Sequence, residues 1–342
     1  MHMDAAKVLA SNLIVLHHFT VYGPLAEALA AAAPRLTDWF FEYARMAVQV
    51  FLVIGGYFAA SSLAPHGDWQ HRQPLRSVAQ RFVRLVLPLG AALLVTVASS
   101  ALTRLWLQAD FVPAAPGGLQ LLSHATLSYG VLGVEPLSVG IWYVAIDFQL
   151  FAVMTLLLWG GRQRAQWLVA LAGLVSLFYF NLHADGDNWA PYFFGSYAMG
   201  AFAWWGGHSR HSGKWLLVLA IAGAAALAWD FRERIALAWV VALVLGLARS
   251  RLSTQQLATL VWPGLQTWIT RSARSSYALF LTHFSVLMLA NALWANLGWV
   301  SLGALVFVTL MAWAACLLVA MVFGRYVERP LATIRVGPAL YN

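Results

Sequence analysis

KVLASNLIVLHH, residues 7–18, decides how the rest of this chain is read. It is apolar enough to enter a bilayer, yet it starts on a cation and ends on two histidines. Coiled as a helix, Lys7 and His18 are separated by about 1100° of turn and lie within roughly 20° of one face. The rise between them is about 16 Å, roughly half a hydrocarbon core. Such a helix holds a positive charge at a membrane surface and an imidazole near the midplane. His17 lies about 100° around the helix, off the Lys7 line, and ranks second to His18. Ionisable groups at that depth are expensive and point to function, unless the imidazole merely bonds a neighbouring carbonyl and packs.

Composition fixes the class. Hydrophobic residues make up 61% of the 342 and charged residues 10%, with a mean hydropathy of +0.70. A soluble domain is nearer half apolar and a quarter charged. The chain therefore reads as an all-α, polytopic membrane helix bundle in a single domain, 1–342, with no room for a sizeable soluble domain. The one cysteine, Cys316, lies in an apolar run, which excludes an internal disulfide or a cysteine-based metal site. No metal is expected. At the N-terminus only Lys7 stands against Asp4, and a His-His pair interrupts the apolar core, so a retained first span is expected rather than a cleaved signal.

Hydropathy places about ten spans, near 6–24, 44–64, 82–104, 139–160, 166–181, 190–206, 215–230, 235–249, 274–293 and 300–324. With the N-terminus inside, 16 of the 21 Lys and Arg residues fall on the cytoplasmic side. They are Lys7; Arg72, Arg76, Arg81 and Arg84; Arg162 and Arg164; Arg210 and Lys214; Arg249, Arg251, Arg271 and Arg274; and Arg325, Arg329 and Arg335. This asymmetry puts both termini in the cytoplasm and accounts for the net charge of +8 without nucleic acid. The opposite side carries two segments longer than turns. One, 105–138, is Pro/Gly-punctuated and either folds back on the membrane or caps a cavity. The other, 183–191, is short and acidic. No internal repeat is visible.

Five stretches carry possible chemistry. In VQVFLVIGGYF, 48–58, Gly55-Gly56 permits a kink or a close backbone approach by a helix or a ligand. In QRFVRLVLPL, 80–89, Arg81 and Arg84 share a helix face that suits a phosphate or carboxylate, or simply anchors the span. In VGIWYVAIDFQLF, 139–151, Asp147 is the one acid clearly inside a span, with Gln149 beside it. An isolated buried carboxylate is protonated or paired; it either joins two helices or supports a histidine as general base. In SSYALFLTHFSV, 275–286, Ser276 and His283 share a face, where packing and hydrogen bonding are the expected role of His283. RYVERPL, 325–331, sets Glu328 beside two arginines as a charged clasp, and Pro330 halts the helix.

Together these residues resemble the acyltransferase-3 family of membrane acyltransferases along nearly the whole chain. The family's arginine eleven residues before a histidine is matched by Lys7 and His18, and its FF-x-x-SG-F run by FLVIGGYF. Its R-x-x-R-L-x-P resembles Arg81, Arg84, Leu85 and, one residue late, Pro88. Its W-S-L-x-x-E-x-Q-F-Y corresponds to Trp142 through Phe151, with Asp147 at the acidic position and Gln149 matching. Ser276, Tyr277, Phe280, Leu281 and His283 are close to SY-x-x-Y-L-x-H, and Glu328 and Pro330 to E-x-P. Departures are Lys for the first Arg, Gly55 for Ser, Asp147 for Glu and Phe148 for a frequent second acid, which suits a divergent branch. The family's common C-terminal esterase-like domain is expected to be absent.

The resemblance implies a multi-pass protein of the bacterial inner membrane that moves an acyl group, acetyl foremost, from acyl-CoA to a hydroxyl of a surface glycan or its lipid-linked precursor. Lys7, Arg81 and Arg84 would grip the CoA phosphates, His18 would be general base or acyl relay, and Asp147 would orient it. The alternatives are a transporter with a His/Asp/Arg proton or anion path, which the missing repeat disfavours, and a scaffold, which needs no cation–histidine line. Reporter fusions after Asn342 and within 183–191 are expected to lie on opposite sides of the membrane; the same side for both overturns the topology.

Overall fold

The computed structural model describes residues 1–70, 73–251, 263–299 and 301–336. Arg72, counted above as cytoplasmic, and Val300, where the last span is expected to start, lie outside them, as does the side chain of Arg251. Every one of the ten expected segments carries a helix. The chain opens with α1 (His2–Phe19), α2 (Gly23–Ala32), α3 (Pro34–Glu42) and α4 (Val48–Leu63), then the long α5 (Pro74–Arg104) and the short α6 (Gly118–Ala125). It continues with α7 (Trp142–Gly161), α8 (Ala165–Phe178), α9 (Ala190–His208), α10 (Ser212–Trp229) and α11 (Glu233–Arg251). α12 (Pro263–Arg274), α13 (Ser276–Leu297), α14 (Leu302–Phe323) and α15 (Arg329–Ala332) complete it, with a π-turn at Gly324–Glu328. Prolines at first-turn positions start α2, α3, α5 and α9, where a missing N–H costs nothing. Gly298, at φ +60°, ends α13.

Among the described residues, six helical stretches are long and apolar enough to cross a membrane, or seven if the bent pair α1–α2 is one span. α8 has only 14 residues. α9 is diluted by Gly, Tyr and Trp, which it tolerates because neighbours bury it almost all round. α13 is buried likewise and packs on α1, α2, α5 and α14. By contrast α10 and α14 turn exposed Leu, Ile, Val and Phe outward, the surface a bilayer covers.

Two contacts set the geometry. The first span is shorter than the expected 6–24: after Phe19 the chain turns through 93° into α2. Asn291 of α13 pins that bend, accepting from the Leu25 N–H at 2.9 Å and donating to the Tyr22 carbonyl at 3.1 Å. The second contact is α4 on α9. A Cβ on Gly56 would overlap the Tyr197 carbonyl, and one on Gly200 the Val53 carbonyl, so each helix offers a glycine to the other's backbone. The 105–138 segment folds in over the α1–α2 bend: Phe111 meets the Tyr22 ring, and Val112, Leu127, Tyr129 and Leu137 are buried.

Gly56→Val is expected to cost at least the roughly 1–3 kcal/mol of an overpacked core, read as a fall in Tm in detergent. Gly90→Ala, with open space around it, should leave Tm unchanged or raise it.

Candidate active site

His18 is 8% exposed at the C-terminal end of α1, facing α13. His283 of α13 is fully buried, and its Nδ1 lies 3.0 Å from the Leu279 carbonyl one turn back. A carbonyl only accepts, so Nδ1 of His283 carries the proton and its Nε2 carries a lone pair. That Nε2 lies 2.7 Å from Nδ1 of His18, which must therefore donate. The two rings are within 10° of parallel, centroids 4.9 Å apart. This chain of donors leaves Nε2 of His18 unprotonated, and among the described residues nothing pairs with it. Gly140 lines the same ring: at φ +82° it occupies the left-handed region, and a Cβ there would sit 3.6 Å from His18 Cε1 and 3.3 Å from Phe280 Cζ. His17 turns the other way and donates from Nδ1 to the Phe40 carbonyl of α3 at 3.1 Å. At the opposite end of α1, Lys7 Nζ lies 4.8 Å over the Phe58 ring.

A second polar centre lies between α5 and α7. Arg81 and Asp147 form an ion pair at 2.5 Å, with 30% and 6% of their side chains exposed. The guanidinium also faces the Phe151 ring at 5.4 Å. Arg81 Nε and the Tyr197 hydroxyl are buried without partners. Gly55 lets the Tyr197 ring approach here, since its Cβ would lie 3.0 Å from that ring and 3.6 Å from Asp147 Oδ1. Both adjacent glycines thus meet Tyr197 of α9, Gly56 its carbonyl and Gly55 its ring, and Gly55 also lies beside the ion pair.

This corrects one sequence expectation. Asp147 does not orient His18; its carboxylate is taken by Arg81, while the imidazole's partner is His283. The cause is packing: α7 lies against α5, and α1 against α13. Arg81 and Arg84 also part company, with Arg81 turned inward onto Asp147 and Arg84 exposed.

A family model described as an acyltransferase domain matches residues 2–324. The chain belongs to the acyltransferase-3 family. No curated protein and no solved structure matches it. The remaining motif positions of this membrane acyltransferase act as braces between helices. The Tyr277 hydroxyl donates to the Leu85 carbonyl at 3.0 Å, beside the turn where Pro88 withholds a donor from α5. Gln149 accepts from the Ala190 N–H at 2.9 Å and donates to the Asn188 carbonyl at 3.3 Å, tying α7 to the start of α9. Glu328 sits in the π-turn with Oε2 buried and unpartnered, and forms no close ion pair among the described residues. Arg329, one of the two neighbouring arginines, and Arg84 are the cations whose charge reaches it. Among the described residues no three His, Cys, Asp or Glu side chains gather as a metal set.

Removing one member of a buried pair strands the other. Arg81→Gln leaves the 6%-exposed carboxylate uncompensated and should cost about 3–5 kcal/mol in unfolding free energy. Asp147→Asn leaves a cation that is 30% exposed and should cost less. Denaturation of both variants in detergent checks the order.

Proposed function

We propose that this protein is an O-acyltransferase of the bacterial inner membrane that moves an acyl group, acetyl foremost, from acyl-CoA to a hydroxyl of a surface glycan or its lipid-linked precursor. The observation that carries the reading is the bare Nε2 of His18, held in that tautomer by His283. A general base needs a lone pair aimed at the reacting hydroxyl and a fixed proton on its other nitrogen. Acyltransferase membership favours this use of a buried histidine over a proton path.

In the reaction, the acceptor hydroxyl oxygen attacks the thioester carbonyl while its proton passes to His18 Nε2. Collapse of the tetrahedral species breaks the C–S bond, and the proton moves from His18 to the departing thiolate. In the relayed variant, His18 Nε2 attacks the thioester carbonyl and the C–S bond breaks, releasing CoA as the thiolate. The acceptor hydroxyl then attacks the acyl carbon, the N–C bond to His18 breaks, and the hydroxyl proton passes to the thiolate. The donor's phosphates are assigned to Lys7, Arg81 and Arg84. Arg84 is exposed, and Arg81 keeps an unpartnered Nε–H beyond its Asp147 contact. Both termini are placed in the cytoplasm, on the side of the acyl-CoA pool.

His18→Ala should lower acyl transfer by about 10²–10⁴-fold while acyl-CoA still binds. His17→Ala, bonded away on Phe40, should cost far less. His283→Ala should lower kcat by roughly 10²-fold with the donor KM little changed, and His283→Gln should recover part of it, because an amide oxygen also accepts from His18 Nδ1. Transfer of label from acetyl-CoA by purified protein reads all four. Full activity in His18→Ala contradicts the proposal.

A further inference from the structure

One of the cavities outside the two polar centres lies beside the start of α7. It has a volume of about 200 Å³ and sits between the start of α7, the start of α9 and the folded 105–138 segment. Its walls are of two kinds. Trp142 and Phe193 supply ring surface, with centroids 5.6 Å apart and rings inclined by 30°. Asp187, Asn188 and Gln149 supply a carboxylate and two amides. Tyr129 also lines it; the residue is 2% exposed and its ring is stacked on His124 at 4.4 Å, while its hydroxyl is buried with no partner among the described residues.

No Lys or Arg lines this cavity. It is therefore unsuited to the phosphates of a CoA donor, which cations or helix N-termini would hold. Flat apolar faces flanked by amides and a carboxylate suit a neutral ligand with an apolar ring face and several hydroxyls around its rim. The volume admits a single ring rather than a chain of them. Position agrees with that use. Trp142 follows Gly140 by two residues, and Gly140 is the backbone against the His18 ring. The cavity is at the Trp142 end of α7, and Arg162 and Arg164 lie beyond the other end, about 30 Å along a helix of 20 residues.

We propose that this cavity is a saccharide subsite: it seats one neutral sugar ring of the acceptor against Trp142, with Asp187 and Asn188 taking its hydroxyls. The inference rests on the glycan-acceptor reading and specifies where that acceptor docks. Gln149 holds the wall in place through its two backbone bonds to the 188–190 turn.

The test is ligand-observed saturation-transfer NMR on protein in nanodiscs, free of sugar-headed detergent. The probes are methyl glucoside, methyl galactoside and N-acetylglucosamine, with choline as a cationic control. The wild type is expected to bind at least one glycoside and not choline. Trp142→Ala and the exposed Asp187→Ala should each weaken that binding about tenfold or more. Acetyl-CoA binding in the same samples reports that the variants are folded. Equal glycoside binding by the variants, or binding of choline in place of glycosides, overturns the subsite. If wild-type protein turns over acetyl-CoA yet binds no glycoside, the subsite falls and acyl transfer stands. If it binds glycosides through Trp142 and Asp187 yet never turns over acyl-CoA, the subsite stands and acyl transfer falls.

Discussion

The hydrogen bond from His18 Nδ1 to His283 Nε2, 2.7 Å long, is the constraint around which the rest of the structure is arranged. It joins residues 265 positions apart and fixes which nitrogen of His18 is free. For the bond to form, α1 must end against α13 and turn away at once. Asn291, two turns along α13 from His283, holds that turn by its bonds to Tyr22 and Leu25. One buried helix therefore sets both the tautomer of the base and the path of the chain beyond it. The pair is neutral, so it avoids the desolvation cost that a buried charge would carry at this depth.

The Arg81–Asp147 ion pair lies instead on a different helix interface. This separation makes chemical sense for a base that works through its lone pair. A carboxylate on Nδ1 would favour the protonated, lone-pair-free imidazolium, whereas a second imidazole fixes the tautomer without adding a net charge. The ion pair joins α5 to α7, and beside it Gly55 admits the Tyr197 ring. Arg84, three residues on, is exposed and free of that duty.

Much of this was legible in the chain, and the limit has a physical cause. Helix positions follow from hydropathy, which is local, so each expected span carries a helix. The special status of His18 and Asp147 follows from the price of ionisable groups among apolar residues, also a local property. Partner choice is not local. Asp147 reads as a natural partner for a histidine, but its neighbour is decided by which helices touch, across 66 residues to Arg81. His283 looks like a packing residue from its own helix face, and only its meeting with α1 reveals its second role. The double glycine is a similar case: sequence permits close approach by a helix or by a ligand, and α9 takes up both positions, its Tyr197 carbonyl against Gly56 and its Tyr197 ring against Gly55.

The central claim is that His18 stands ready with its proton on Nδ1 and a bare Nε2. The most direct measurement is ¹⁵N NMR of histidine-labelled protein at neutral pH, with the His18 signals assigned by their loss in His18→Gln. The account predicts a neutral ring with protonated Nδ1 and unprotonated Nε2, and a change in that pattern in His283→Ala. A His18 ring protonated on Nε2, or on both nitrogens, contradicts it.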